Sequence, residues 1–134
     1  MNKLAILLCA ALAPLLSGCV ALAAGAAGAM IATDVLENQT YVAQFNMDAD
    51  ELWHSAKATV SHSSTDPIEV DRDLRTVRAK IDGAVVVVSV ETFDLNQSLL
   101  RVEAKKYGMV NGEIANMVLQ SIVDDLDETQ QGSL

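Results

Sequence analysis

The sequence predicts an α+β domain in which two helices cover one face of an antiparallel meander sheet, in the order β-α-β-β-β-β-α. Three observations predict this fold. Several short segments alternate apolar and polar residues, as strands with one wet face do. Two longer segments carry apolar residues at helical spacing. The chain of 134 residues, 51% of them hydrophobic, is long enough for one folded domain and too short for two.

The first predicted elements are a strand and a helix. Residues 40–45 form the strand, whose apolar face holds Tyr41, Ala43 and Phe45. Asp48 is positioned to cap the following helix, with Glu51 as its capping-box partner. The apolar stripe of this helix comprises Leu52, Trp53, Ala56 and Val60. The helix should end within residues 61–66, because Pro67 disfavours helical geometry in the residue before it.

The meander is predicted in the middle of the chain. Its strands span residues 68–70, 74–81, 85–90 and about 100–104, and turns are expected at 71–73 and 94–98. The inward side chains of the second and last of these strands are Val77, Ala79, Ile81, Leu100, Val102 and Ala104. Asp82 and Gly83 form a strong hairpin signal between two strands. The valine-rich run 85–90 is apolar on both faces, so it should be a central strand.

A second helix is predicted from Glu113 to about Asp127. Its apolar stripe comprises Ile114, Met117, Val118, Ser121, Ile122 and Leu126. The folded domain is therefore expected at residues 37–128, and a polar tail at 129–134.

The N-terminal segment is typical of a targeting signal. Lys3 is followed by the apolar stretch 4–15, which is shorter than the roughly 20 residues that a membrane span needs. The motif Leu16-Ser17-Gly18-Cys19 then resembles the lipobox of bacterial lipoprotein signal peptides. The resemblance implies a diacylglycerol on the Cys19 thiol, with fatty acyl chains such as palmitate. Because Cys9 would leave with the signal peptide, no disulfide is expected.

The residues around the lipobox divide the N-terminal part of the chain. The signal peptide is expected at 1–18, and the lipidated cysteine with a Gly/Ala-rich tether at 19–36. In lipoproteins an Asp directly after the cysteine commonly retains the protein in the inner membrane, and this chain has Val20 there. The resemblance therefore implies the bacterial outer membrane, with the domain facing the periplasm. The uncharged stretch 20–32 fits either a membrane-seated or self-associating segment or a flexible tether.

The chain as a whole resembles a family of small bacterial outer-membrane lipoproteins known as a domain of unknown function. The matching pieces are the lipobox, Gly25–Ala29, Tyr41, Asp48–Trp53 and Gly108–Ile122. The resemblance implies this layout of signal, tether and β-α-β-β-β-β-α domain. It brings no agreed activity.

The side chains capable of catalysis form no recognisable site. His54 and His62 lie on the first predicted helix, about 12 Å apart along its axis, which is too far to share a metal. Ser55, His62 and Asp66 lack the nucleophile turn of hydrolases. Solvated acidic side chains are expected at Asp124, Asp125, Asp127 and Glu128. We predict no enzyme activity, metal or cofactor, and the net charge of −9 argues against nucleic acid as a partner.

The outward face of the sheet is the candidate partner surface. Its basic side chains are Arg72, Arg78, Lys80, Arg101 and Lys105. They either pair with acidic neighbours, among them Glu91 and Glu103 on the sheet, and keep the sheet soluble, or dock an anionic envelope component or an acidic envelope protein. The sequence thus favours a non-enzymatic, lipid-anchored binding or accessory domain. The alternatives are a small carrier of apolar ligands or lipids, with its cavity between sheet and helices, and a hydrolase.

Overall fold

The structure, a computed structural model, describes residues 40–132 and has the predicted α+β architecture. The elements in chain order are β1 (Tyr41–Phe45), α1 (Ala49–Ser63), β2 (Glu69–Asp71), β3 (Thr76–Ile81), β4 (Ala84–Asp94), β5 (Gln97–Lys106), β6 (Met109–Val110) and α2 (Gly112–Gly132). The expected signal peptide 1–18, the expected lipidation site Cys19 and the tether 19–36 lie outside the described residues.

The strands form one antiparallel sheet with the order β1-β5-β4-β3-β2, and β6 pairs with the far end of β5. Strands β2 to β5 are a meander of hairpins. After β1 the chain crosses through α1 to the opposite edge of the sheet and returns strand by strand. The valine-rich strand β4 pairs with β3 and β5 and is central, as predicted.

The sheet has two ends, which its pairing defines. The turn between β3 and β4 and the turn between β5 and β6 lie at one end, which we call the lower end. The turns after β2 and after β4 lie at the other, the upper end. Strand β1 runs from the lower towards the upper end, because Tyr41 pairs with Val102 and Phe45 with Ser98.

Both helices contribute to a single hydrophobic cluster on one face of the sheet. The predicted inward side chains of β3 and β5 are all buried. Val88 of β4 is fully buried between Val77 and Val102, its partners in the two neighbouring strands. The helices cover these side chains with Leu52, Ala56, Val60, Leu119 and Ile122, all fully buried. Burial of apolar area in this layer is the main favourable term for the fold.

Helix α1 begins at the predicted cap, with one difference. The Asp48 carboxylate accepts a hydrogen bond of 2.8 Å from the Asp50 amide. The predicted capping box would use the amide of Glu51, one residue later. The predicted stripe of α1 is buried throughout. The helix ends at Ser63, ahead of Pro67, and the Thr65 amide then donates to the Lys80 carbonyl at the lower end of β3.

The strand boundaries differ from prediction at the turns. Strand β3 begins at Thr76 rather than Leu74, whose side chain is 70% exposed. The predicted turn at 94–98 is only two residues long, because a bulge between Thr92 and Asp94 lets Gln97 join β5. The two-residue strand β6 was not predicted.

Helix α2 is longer than predicted and is rotated about its axis. It starts at Gly112 and continues through Gly132, so residues 129–132 of the predicted polar tail are helical. The Thr129 hydroxyl donates to the Asp125 carbonyl within this last part. The buried positions are Ile114, Ala115, Val118, Leu119, Ile122, Val123 and Leu126. Met117, predicted in the stripe, is 41% exposed, and Ser121 is half-buried. The helix contacts α1 as well as β5 and β1. Its buried side therefore includes residues that face α1, in addition to those that face the sheet.

Candidate functional site

The candidate partner surface is the face of the sheet opposite the helices, which we call the open face. Val87 lies near its centre, in register with Arg78 of β3 and Glu103 of β5. Other apolar side chains on this face are Val42, Val85, Leu99 and Val110. The open face therefore combines a sparse apolar middle with charged neighbours.

Basic and acidic side chains are interleaved across the open face. The Lys105 ammonium lies 3.0 Å from the Glu103 carboxylate on the same strand. Arg101 lies 3.8 Å from Glu91, and Arg78 pairs in register with Glu69. At one corner Lys80 lies 3.8 Å from Asp66, in the segment that follows α1. Four of the five predicted basic side chains, Arg78, Lys80, Arg101 and Lys105, are exposed or half-buried on this face. The last three of them each lie beside an acidic side chain.

Arg72 does not belong to the open face. It follows the end of β2 and lines a groove beside α1 together with Asp50 and Lys57. Arg75, in the same turn, pairs with Asp50 at 2.8 Å. The prediction placed Arg72 at an outward position of the sheet, whereas the chain turns over residues 72–75 and carries both arginines towards the helix.

Both histidines line an open groove between the two helices. His54 and His62 are exposed, and Asp125 and Glu128 of α2 form the other side of the groove. The Thr59 hydroxyl donates to the Asp125 carboxylate across the helices at 2.5 Å. Among residues 40–132, no three His, Cys, Asp or Glu side chains come together as metal ligands would.

Trp53, Asp66 and the acidic run 124–128 lie in different parts of the domain. Trp53 is 5% exposed and belongs to the core, with the Lys57 ammonium 5.6 Å from its ring. Asp66, the acid of the rejected hydrolase set, pairs with Lys80 on the sheet side. The acidic run 124–128 is followed by one further helical turn, residues 129–132, whereas the prediction placed the run at the helix C-terminus. Its negative charge is therefore away from the C-terminal end of the helix dipole.

The structure also places an unpredicted feature at the lower end. Tyr107 and Gly108 form the turn between β5 and β6, with φ angles of 55° and 76°. The predicted turn at Asp82 and Gly83 has almost the same geometry, with φ angles of 50° and 77°. The signal for the missed hairpin is a residue–glycine pair after an alternating strand, which is weak when the residue is tyrosine rather than Asn, Asp or Gly.

The residues that line two of the described grooves bear on the carrier alternative. The helix groove and the groove beside Asp50 are lined mainly by charged, imidazole and hydroxyl side chains. A carrier of apolar ligands needs an apolar lining. The layer between sheet and helices, where such a cavity was expected, is occupied by the hydrophobic cluster.

Comparison with known proteins places the chain in a family. A family model described as a protein of unknown function (DUF3568) matches residues 3–123. No curated protein matches the chain. Neither helix within residues 40–132 is long and apolar enough to cross a membrane.

Proposed function

The chain belongs to the DUF3568 family, and from that premise we propose that it is a non-enzymatic bacterial lipoprotein whose domain binds a protein of the cell envelope. Cys19 carries the lipid, which anchors the chain in the outer membrane. The domain faces the periplasm and presents its open face to the partner.

The support for the anchor is the lipobox together with the extent of the family match. The match begins at residue 3 and includes Leu16–Cys19 as well as most of the folded domain. The signal-like segment is thus part of what relates the chain to its family. A single acyl chain gives marginal membrane binding, whereas the two or three of a lipoprotein hold the protein stably.

The observation that carries the binding proposal is the composition of the open face. Val87 lies in the middle between Arg78 and Glu103, and Val85 adjoins it on the same face of β4. Val42, Leu99 and Val110 lie nearer the edges and ends of the face, so charged side chains of both signs flank the central valines. An apolar middle with a polar surround is the usual anatomy of a protein–protein interface. Because the basic side chains already have acidic neighbours, this face suits a protein with its own mixed charges better than a uniformly anionic polymer.

The binding proposal is tested by crosslinking in cells. A photoreactive amino acid replaces Val87 at the centre of the open face, and in a matched variant it replaces Asn116, an exposed residue of α2. We expect a discrete envelope protein to be captured from position 87 and not from position 116. Capture from position 116 alone, or equal capture from both, would contradict the assignment of the open face.

A further inference from the structure

Two turns meet at the lower end of the sheet and form one surface. Val85, next to the β3–β4 turn, pairs with Lys105, which in turn pairs with Val110 of β6. The Lys106 side chain passes over Gly83, with its Cε 3.6 Å from the position that a Cβ would take there. The turns at 82–83 and 107–108 are therefore neighbours in space.

This surface exposes apolar and aromatic groups that the core does not use. Tyr107 is 88% exposed and Met109 69% exposed, and Val85 and Val110 adjoin them. The Lys106 ammonium lies 5.8 Å from the centre of the Tyr107 ring. The tyrosine thus combines full exposure with a cationic neighbour.

Tyr107 occupies a backbone conformation that disfavours it. Its φ of 55° is in the left-handed region, which suits Gly, Asn or Asp much better than an aromatic residue. The neighbouring turn uses the ordinary pair, Asp82 and Gly83, for the same geometry. The fold alone does not account for a tyrosine at this position, because the ring contributes nothing to the buried core.

The upper end is different in charge. It also exposes apolar side chains, those of Leu74, Phe93 and Leu95. Acidic side chains predominate around them, at Asp48, Asp50, Asp71, Asp73, Glu91 and Asp94, against the three arginines Arg72, Arg75 and Arg101. The lower end has Lys80, Lys105 and Lys106 beside the acids Asp66, Asp82, Glu103 and Glu113. An anionic surface would therefore repel the upper end more strongly than the lower one.

The position of β1 relates the proposed anchor to the two ends of the sheet. Residues 20–39 separate Cys19 from the described domain and span at most about 70 Å when fully extended. Strand β1 starts nearer the lower end, about 14 Å from the level of Lys106. The length of this segment permits either end to approach a membrane, so the surfaces of the two ends decide which one does.

We propose that the lower end, with Tyr107 and Met109 at its tip, docks on the lipid surface in which Cys19 is anchored. The proposal rests on the proposed lipid anchor. Tyrosine is favoured at the membrane–water interface, where its ring contacts the acyl boundary and its hydroxyl stays hydrated. Lysines extend their ammonium groups to the headgroups of such an interface. Docking by this end sets the sheet upright, with the acidic upper end away from the membrane.

The test uses the full chain, processed and lipidated in bacteria and reconstituted into vesicles of phosphatidylethanolamine and phosphatidylglycerol that contain a quencher lipid. One variant, Met109→Cys, carries an environment-sensitive fluorophore at the lower end. Its matched control, Phe93→Cys, carries the same fluorophore at the upper end, where exposure is similar, 60% against 69%. We expect a blue shift and severalfold stronger quenching at position 109 than at position 93. Equal signals, or stronger quenching at position 93, would overturn the proposal.

A second variant separates docking from folding. Tyr107→Asn places a residue suited to the left-handed region in the turn, so the fold should hold, while the ring is lost. We expect this change to weaken the quenching at position 109 without releasing the chain from the vesicles. Unchanged quenching would show that Tyr107 does not dock.

Flotation of the vesicles distinguishes the anchor proposal from the docking proposal. A chain that does not float with the vesicles lacks its anchor, and this result refutes both proposals. A chain that floats but gives equal signals at positions 93 and 109 refutes docking alone.

Discussion

At the scale of single residues, burial decides which substitutions matter. Val88 is fully buried, yet its strand neighbour Val85 is 43% exposed on the open face. The reason is that alternation along a strand assigns successive side chains to opposite faces, so residues 85 and 88 of β4 face opposite sides of the sheet. A register error of one residue would have exchanged the two.

Replacing Val88 by alanine should lower the free energy of unfolding by about 1–3 kcal/mol, through lost burial and the cavity left behind. Val85→Ala is the matched control, because the same atoms are removed from a partly exposed site, and it should change the free energy by less than about 0.5 kcal/mol. Urea denaturation of both variants measures the difference. Equal losses would contradict the register that buries Val88 and exposes Val85.

Cys19 is the residue on which the proposed anchor depends. Changing Cys19→Ser removes the thiol that would take the diacylglycerol, so labelled fatty acid should no longer be incorporated and the chain should accumulate unprocessed or unanchored. Cys9→Ser is the control, because that cysteine lies within the expected signal peptide. Normal labelling of the Cys19→Ser variant would exclude the lipobox.

At the scale of elements, the sequence predicted strand identity and order better than helix orientation. The strands of the meander are marked by strict alternation and by the Asp82-Gly83 turn, both local signals. Which residues of α2 are buried depends on its contact with α1, and the sequence of α2 alone does not predict that contact. Its extension to Gly132 was missed for a related reason, since polar residues can continue a helix once its earlier turns are fixed.

The contact between the helices includes one specific hydrogen bond, from Thr59 to Asp125. Asp125→Ala should lower the free energy of unfolding by about 0.5–1.5 kcal/mol, because the Thr59 hydroxyl, on a residue that is 4% exposed, loses its acceptor on α2. Asp124→Ala is the matched control, since Asp124 is an exposed acid on the same turn of the helix. Thermal unfolding of both variants tests this, and similar losses would show that helix propensity, not the contact, is responsible.

The two lower turns allow a prediction about backbone conformation. Tyr107→Asn should raise the free energy of unfolding by up to about 1 kcal/mol, because Asn tolerates a φ of 55° better than tyrosine does. Gly83→Ala should lower it by about 1 kcal/mol, because alanine is disfavoured at a φ of 77° although Lys106 leaves room for a Cβ. Urea denaturation checks both signs, and a destabilised Tyr107→Asn variant would mean that the ring has a packing role.

At the scale of the whole molecule, the fold was predictable from the sequence. The positions of the charged side chains on its surface were predictable only in part. The sequence places Arg78, Lys80, Arg101 and Lys105 on one face because they alternate with buried residues. It predicts Glu91 and Glu103 as acids on the same face, and both lie beside basic side chains. It does not predict Glu69 opposite Arg78, because that neighbour follows from the pairing register. Two residues in turns were not placed correctly from the sequence. Arg72 lies beside α1 rather than on the sheet, and Tyr107 lies in an exposed hairpin for which the sequence signal is weak.

The open face can be tested as a charged surface by reversing Arg78, Lys80 and Arg101 to glutamate together. Each of these side chains lies beside an acid, so the reversal creates repulsion in place of attraction on an already acidic chain. Exposed pairs contribute only about 0–1 kcal/mol each, so the domain should stay folded, with a loss of stability that added salt reduces. Capture of a partner from position 87 should nevertheless fall at low salt, because the reversed charges surround Val87.

The control for this reversal carries the same change of charge on the helix side, through Lys57→Glu, Arg72→Glu and Arg75→Glu. This variant also loses an ion pair, that of Arg75 with Asp50. The two variants carry the same change of net charge and differ in the surface on which the new carboxylates lie. If binding depends on the open face, capture falls in the first variant and persists in the second. If both variants capture equally well, the partner does not approach through the open face, and the helix groove between His62 and Glu128 becomes the surface to probe next.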